Sequence, residues 1–348
     1  MKTFLTKQIE RMKANPRNTV IGLLIVVLII FVNTLSIMGN NKNFAGKGHK
    51  LVTVSQGMTA GEIAELLHKE KLVQHPDIFL IEARLKGLGS KLQAGTYKID
   101  CGASNGEIVS VLASGKILQN TFTVPEGYNV VKTAHKLEAE GLGNAEKFMS
   151  AAKDYAPYEY MQTDNPYVVF KVEGFLFPAT YEIPAKASEE EILQLMVKQF
   201  NTEMQQSGVL KATEEAGLKL RDVVNLAAMV ELEAVFPEEQ PRIAGVFLKR
   251  LDIGMPIQSD TTIQYILGAQ KEVITFKDTE IDNPYNTYKN MGLPPGPIAS
   301  PGMSSIKAVL TPEQTDYLYF VAEKDGHHYF SKTYDEHLQA IEKIHGES

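Results

Sequence analysis

Apolar positions follow three regimes along this chain. Residues 20–32 read VIGLLIVVLIIFV without a charge. With residues 33–38 the run reaches about 19 residues, near the length of a bilayer-crossing helix. From residue 51 the pattern changes to short strand-like runs and amphipathic helical faces. Residues 51–54 predict a strand. Thr59 with Glu62 fits a capping box, and Ile63, Leu66 and Leu67 supply an apolar helix face. Pro76 opens a second helix over 76–86, and GTYKI at 95–99 predicts a returning strand. Ser104 with Glu107 forms a second capping box before Ile108, Val109 and Leu112, so TAGEIAELL recurs loosely as SNGEIVSVL. The unit is strand–helix–helix–strand with a trailing helix.

The third regime begins with a strand at 122–125, followed by Glu126 and Gly127 and by helices over 129–142 and 145–153. Residues 154–170 are rich in Tyr and Pro and read as irregular. In VEGFLFPATYEI at 172–183, Phe175, Phe177 and Tyr181 alternate in strand fashion and Pro178 interrupts. With Glu173 and Glu182 these aromatics either line a sugar groove or belong to the core. An amphipathic helix follows over 188–208.

Residues 223–260 organise the rest. An apolar helix, capped by Asp222 and stopped by Pro237, carries an acid, Glu231. Ala227 and Ala228 share its face and leave a slot beside the carboxyl. Apolar surroundings raise the pKa of an acid, and a raised pKa keeps a proton available for general-acid work. The competing reading is an ion pair with Arg242 or Arg250. A second helix spans 241–251, with Gly254 as its C′ residue. Asp260 then caps a short helix ending at Gly268, a role that by itself accounts for Asp260. Gln258, Asp260 and Thr262 are polar groups just after an extended segment.

Residues 283–302 hold five prolines and three glycines, a rigid loop rather than a floppy one. Long loops without secondary structure inside a domain are usually functional. Tyr285, Asn286, Thr287 and Tyr288 give this one a polar-aromatic cluster. Ser304 caps a helix over 305–310. Residues 317–322 and 328–331 predict a hairpin across 324–326, and a helix over 335–344 closes the pattern. His327 and His328 point to opposite faces of a strand and make no metal pair.

Composition adds bounds. The 348 residues allow two domains plus an appendage. A net charge of -7 argues against a general nucleic-acid binder. Cys101 is the single cysteine, which excludes an intrachain disulfide and a cysteine-rich zinc site. Lys2, Lys7, Arg11, Lys13 and Arg17 precede the apolar run, against one acid, Glu10. That excess places residues 1–18 in the cytoplasm, 19–38 across the membrane as a single-pass anchor, and the remainder outside. A cleaved signal peptide is the alternative, but no small-x-small site follows the apolar core. The polar, glycine-rich residues 39–50 read as a flexible linker.

Five blocks in order carry a family resemblance: EGFLFPATYEI at 173–183, AAMVELEA around Glu231, VFLKRLDIGMPIQSD at 246–260, NPYNTYKNMGLPPGPIASPG at 283–302 and YLYFVA at 317–322. Together they resemble the YceG-like (MltG) family of endolytic murein transglycosylases, from residue 51 onward. The resemblance implies an α+β chain, with a LysM-like subdomain at 51–118 and a catalytic domain at 119–348. It implies Glu231 as the catalytic acid, at the first Glu of the family's E-x-E segment. The implied partners are peptidoglycan glycan strands, the membrane and cell-wall synthases, with no cofactor, metal or nucleic acid. The expected reaction cleaves the MurNAc–GlcNAc bond inside nascent strands without water, and leaves 1,6-anhydroMurNAc ends. Gln258, Asp260, Tyr285 and Asn286 are the expected sugar-holding residues. Glu233 lies two residues from Glu231 and points away from it on a helix. A hydrolase would need a second carboxylate, for which Glu173 and Asp260 are the candidates. Two further classes are a glycan-binding scaffold, against which Glu231 speaks, and a cytoplasmic pyridoxal-phosphate lyase. The anchor and the lack of a lysine in a Gly-rich phosphate loop argue against the lyase.

Overall fold

Two separate hydrophobic cores divide the chain. In the computed structural model the described residues are 20–21, 24–30, 33–34, 39–41, 44, 48–271 and 273–346. One unit comprises residues 1–119 with 184–186, and the other 120–183 with 187–348. The anchor expected at 19–38 lies largely outside the described residues. Among those described, no helix is long and apolar enough to cross a membrane.

In the first unit, β1 (His49–Val54) pairs antiparallel with β2 (Gly95–Asp100), Val52 opposite Tyr97. Alternation buries Val52, Val54, Tyr97 and Ile99 on one face. They share a core with residues of α1 (Ala60–Lys69), α2 (Pro76–Leu85) and α3 (Asn105–Ser114), among them Leu67, Phe79 and Leu112. Both capping boxes form, Thr59 with Glu62 and Ser104 with Glu107. The reading of 39–50 as a flexible linker needs correction at Asn41 and Phe44. Asn41 is fully buried, donates to the Ala103 carbonyl at 3.1 Å and to Asn105 Oδ1 at 2.9 Å, and accepts the Gln74 N–H at 3.0 Å. Phe44 stacks on His68, with ring centroids 5.7 Å apart. A polar residue whose bonds are all met inside the fold is docked, whatever its composition promises.

The second unit is mainly helical. β3 (Gln119–Thr123) pairs with β4 (Thr180–Pro184). Between them lie α4 (Val130–Ala139) and α5 (Ala145–Ala152), each with an asparagine N-cap, Asn129 and Asn144. Residues 172–179 hold a turn and irregular chain, so the strand expected there is confined to β4. Phe175 is buried and meets Phe200 edge-on at 5.2 Å, which puts this aromatic in the core and not in a groove. α6 (Glu189–Gln206) and α7 (Val209–Glu215) lead to α8 (Leu220–Glu233), α9 (Gln240–Asp252) and α10 (Asp260–Leu267). The short α11 (Phe276–Thr279) precedes the proline-rich loop, and α12 (Met303–Leu310) follows it. β5 (Tyr319–Ala322) and β6 (His328–Ser331) form the expected hairpin, and α13 (Tyr334–His345) ends the fold. Glu239 holds this hairpin, accepting from the His328 N–H at 3.0 Å and bonding its Nδ1 at 2.7 Å.

Candidate active site

α8 is the axis of the site. Residues 223–230 are buried on every face, so the helix runs through the core. Lys219 is its N-cap; Asp222 sits in the first turn, where its charge complements the helix dipole, and is not the cap expected. The helix stops at Glu233, where Ala234 turns extended and Pro237 opens a 3-10 turn.

Three α8 side chains face the proline-rich loop at 283–302. Asn225 donates to the Pro294 carbonyl at 2.8 Å. Arg221 donates to the Met161 carbonyl at 2.8 Å, and its Nη2 lies 3.2 Å from where a Cβ on Gly296 would stand. Gly174, at φ +88°, lets Pro297 close in; a Cβ there would be 2.5 Å from the proline ring. The Gly127 N–H donates to the Ser300 carbonyl at 2.9 Å, and the Ser300 N–H to the Tyr128 carbonyl at 2.8 Å.

Glu231 completes the series. Its Oε2 accepts the Gly302 N–H at 2.9 Å and the Ser305 hydroxyl at 2.7 Å. Gly302 is the N-cap of α12. The cap expected of Ser304 is therefore replaced by a glycine whose N–H, with the Ser305 hydroxyl, meets a carboxyl from another helix. This setting is polar, unlike the apolar slot expected beside Ala227 and Ala228. The ion-pair reading also fails. The Arg242 Nε–H is shared between the two Glu313 carboxylate oxygens at 2.9 and 3.0 Å, and Arg250 donates to the Leu318 carbonyl at 2.6 Å and to the Ile257 carbonyl.

A second carboxyl stands beside Glu231, and the sequence reading passed over it. Glu126 Oε1 lies 2.0 Å from the position a Cβ on Gly302 would take. Loss of solvent, and then the charge of Glu231, hold the Glu126 carboxyl above its usual range. Its neighbour Gly127 adopts φ +73°, and a Cβ there would come within 3.1 Å of Leu232 and 4.0 Å of Glu231 Cγ. A Glu-Gly pair directly after a strand was the available signal.

Gly127 and Leu232 are among the residues lining an open cleft of about 450 Å³. Asn129, Lys132, Tyr167, Gln264, Tyr265, Asn283 and Tyr285 line it with amides, hydroxyls and ring faces. Beneath it Glu173, 2% exposed, accepts the Val130 N–H at 3.0 Å and the Tyr265 hydroxyl at 3.3 Å. Burial pushes the Glu173 carboxyl up to about 8. Enclosed in this way, Glu173 cannot present a water to a ligand.

The four expected sugar-holding residues separate. Tyr285 lines the cleft against Tyr265, ring centroids 5.1 Å apart. Asn286 is fully buried; its amide donates to the Thr279 and Ile281 carbonyls at 2.8 and 2.7 Å, and its Oδ1 accepts the Tyr288 N–H at 2.9 Å. It braces the loop from inside and faces no ligand. Asp260 is exposed, follows the N-cap Ser259, and accepts the Tyr288 hydroxyl at 2.6 Å. Gln258 is exposed at φ +51°, its N–H donating to the Thr287 carbonyl at 3.1 Å. Nearby, Glu233 takes the Ser259 hydroxyl, away from Glu231. Its carboxyl is pushed up to about 7 by burial first, with Ser259 opposing and Asp260 adding to the rise.

Fold and site together define an α+β protein with a polar-aromatic cleft, and the chain neighbour of one lining residue is a helix-borne glutamate hydrogen-bonded into the start of a second helix. The chain belongs to the YceG-like family, whose profile matches residues 52–343. It is 34% identical over 304 residues to a Bacillus subtilis protein named endolytic murein transglycosylase, covering 84% of each chain. A Streptococcus pneumoniae protein of the same name is 30% identical over 331 residues, which span 87% of this chain and 59% of that relative. The crystal structure of a yceG-like protein from Listeria monocytogenes superposes with a TM-score of 0.59 at 31% identity, covering 85% of this chain and 100% of the other.

Proposed function

We infer that this chain is an endolytic murein transglycosylase, a lyase that cuts the MurNAc–GlcNAc bond within peptidoglycan strands. The observation that carries this reading is the setting of Glu231. Two donors hold its Oε2, no arginine or lysine is bonded to it among the described residues, and a cleft suited to sugar rings is lined one residue away by Leu232.

Protonated Glu231 gives its proton to the glycosidic oxygen as the bond from MurNAc C1 breaks. The electrons of that bond leave with the GlcNAc O4, which becomes a hydroxyl. The acetamido group of the same MurNAc stabilises the positive charge at C1. Glu231, now a carboxylate, removes the proton of the C6 hydroxyl, and O6 closes on C1. The carboxyl is restored, no water is consumed, and the product ends in 1,6-anhydroMurNAc. Tyr285, Gln258 and Asp260 are the sugar-holding candidates that remain, joined by the cleft amides of Asn129 and Gln264.

The finer assignments belong to the same reading. Residues 19–38 anchor the chain, with residues 1–18 in the cytoplasm and the cleft outside. The uncharged run at 20–32 and its basic flank support this. The βααβ unit at 51–118 acts as a LysM-like module, and nascent strands close to the cell-wall synthases are the natural substrate.

Mass spectrometry of peptidoglycan incubated with wild type and with Glu231→Gln tests the reading. Anhydro ends from the wild type alone are expected. Free reducing ends, or an active Glu231→Gln protein, would overturn it.

A further inference from the structure

Gly302 stands between two acids from distant parts of the chain. Its N–H donates to Glu231 Oε2 at 2.9 Å, and the site of its absent Cβ is 2.0 Å from Glu126 Oε1. Backbone dimensions then hold the two carboxyl oxygens within roughly 7.5 Å of each other. The Glu126 side chain is exposed, but the backbone that carries it is fixed. The residues after it are tied to the same loop by the paired bonds between Gly127, Tyr128 and Ser300.

Charged groups on the helices packed about Glu231 are engaged elsewhere. On α9, Arg242 is held by Glu313 and Arg250 by backbone carbonyls. On α8, Glu233 is held by Ser259. α12 contributes the Ser305 hydroxyl. No lysine, arginine or histidine is bonded to Glu126 or Glu231 among the described residues.

This arrangement bears on the proton that the reaction needs. An amide N–H, a hydroxyl and a helix N-terminus all favour an ionised carboxyl. A general acid must instead hold its proton near neutral pH. A second carboxyl close by opposes ionisation, because two like charges at short range do not both form easily. Resting on the lyase reading above, we propose that Glu126 is a positioning residue of the active site: from the other side of Gly302 its charge opposes that of Glu231 and so favours the protonated Glu231 that the leaving oxygen needs. The raised titration of Glu126, attributed in part to Glu231, agrees with the coupling.

Two measurements test this on the full chain. The first needs no substrate: 13C-carboxyl NMR follows Glu126 in wild type and in Glu231→Gln. Removing the neighbouring charge is expected to lower the Glu126 midpoint by about half to one pH unit, allowing for solvent screening. A midpoint that stays in place overturns the proposal, whatever the enzyme does. The second is the pH profile of anhydro-end formation by Glu126→Gln. Its alkaline limb is expected about half to one unit lower, a loss of roughly three- to tenfold on that limb with the acid plateau kept. Glu126→Asp, which restores the charge, should return the limb toward wild type. A uniform fall at every pH, not rescued by Asp, would make Glu126 structural only and overturn the proposal. Coupling seen by NMR without any cleavage by wild type would instead remove the lyase reading and leave the pair standing.

Discussion

Glu231 accepts a 2.7 Å hydrogen bond from Ser305, which lies 74 residues further along the chain. Through this bond the end of α8 and the start of α12 share one carboxyl, whose second donor is the Gly302 N–H. Ser305→Ala removes one donor and leaves the other. A lost hydrogen bond to a charged or charging group is worth about 1.5 kcal/mol or somewhat more. Initial rates of anhydro-end formation should therefore fall about tenfold, with the melting temperature changed by a few degrees at most. Wild-type rates in the Ala variant would show that the bond does not orient Glu231.

Gly302 has an ordinary backbone conformation, φ −72° and ψ 166°, which any residue tolerates. Its lack of a side chain matters for another reason: a Cβ would meet Glu126 Oε1 at 2.0 Å. Gly302→Ala should move the Glu126 carboxyl aside and lower activity severalfold. Alanine in place of an N-cap glycine costs only about 1 kcal/mol or less of stability. A rate and pH profile equal to wild type, with the fold intact by circular dichroism, would count against the tight packing of Glu126 on this glycine.

Asn225 ties the proline-rich loop to the core helix by its 2.8 Å bond to the Pro294 carbonyl. Asn225→Ala leaves that carbonyl without its donor in a buried place, a loss of about 1–3 kcal/mol. Asn225→Asp adds a buried carboxylate beside a carbonyl oxygen and should cost more. Urea midpoints are expected in the order wild type, Ala, Asp. An Asp variant as stable as wild type would mean the loop is not held at this point.

What the chain disclosed in advance was local. The capping boxes at Thr59 and Ser104, the glycine after α9 and the β5–β6 hairpin depend on neighbours within a few residues, and each appears where its pattern predicts. Glu231 stood out because an acid inside an apolar helix is costly without a purpose or a partner. The setting around it was not legible, since Gly302, Ser305 and Glu126 arrive by tertiary packing. Asn286 has the side chain of a sugar ligand, yet full burial turns it inward to brace its own loop. Asn41 likewise looked like linker and is interior. Side-chain type suggested a role in both cases, and burial decided it.

Glu173 makes the fold sensitive to pH. Its folded value is about 8 against an ordinary 4.5, raised by burial. Between those values the folded chain holds a proton that the unfolded chain releases, so stability falls as pH rises. The contribution is complete below pH 4.5 and is lost as pH climbs through 8. Its full size is at most on the order of 5 kcal/mol. Glu233, pushed up to about 7, slopes the same way, but it is present in both proteins under comparison and cancels. Glu173→Gln keeps an acceptor for the Val130 N–H and a polar group for the Tyr265 hydroxyl, while removing the ionisation. The variant should melt near or somewhat below wild type at mildly acidic pH and above it at alkaline pH, with a crossing between. Parallel melting curves across that range would show that the carboxyl titrates alike in both states, and that the acid beneath the cleft is not held neutral by its burial.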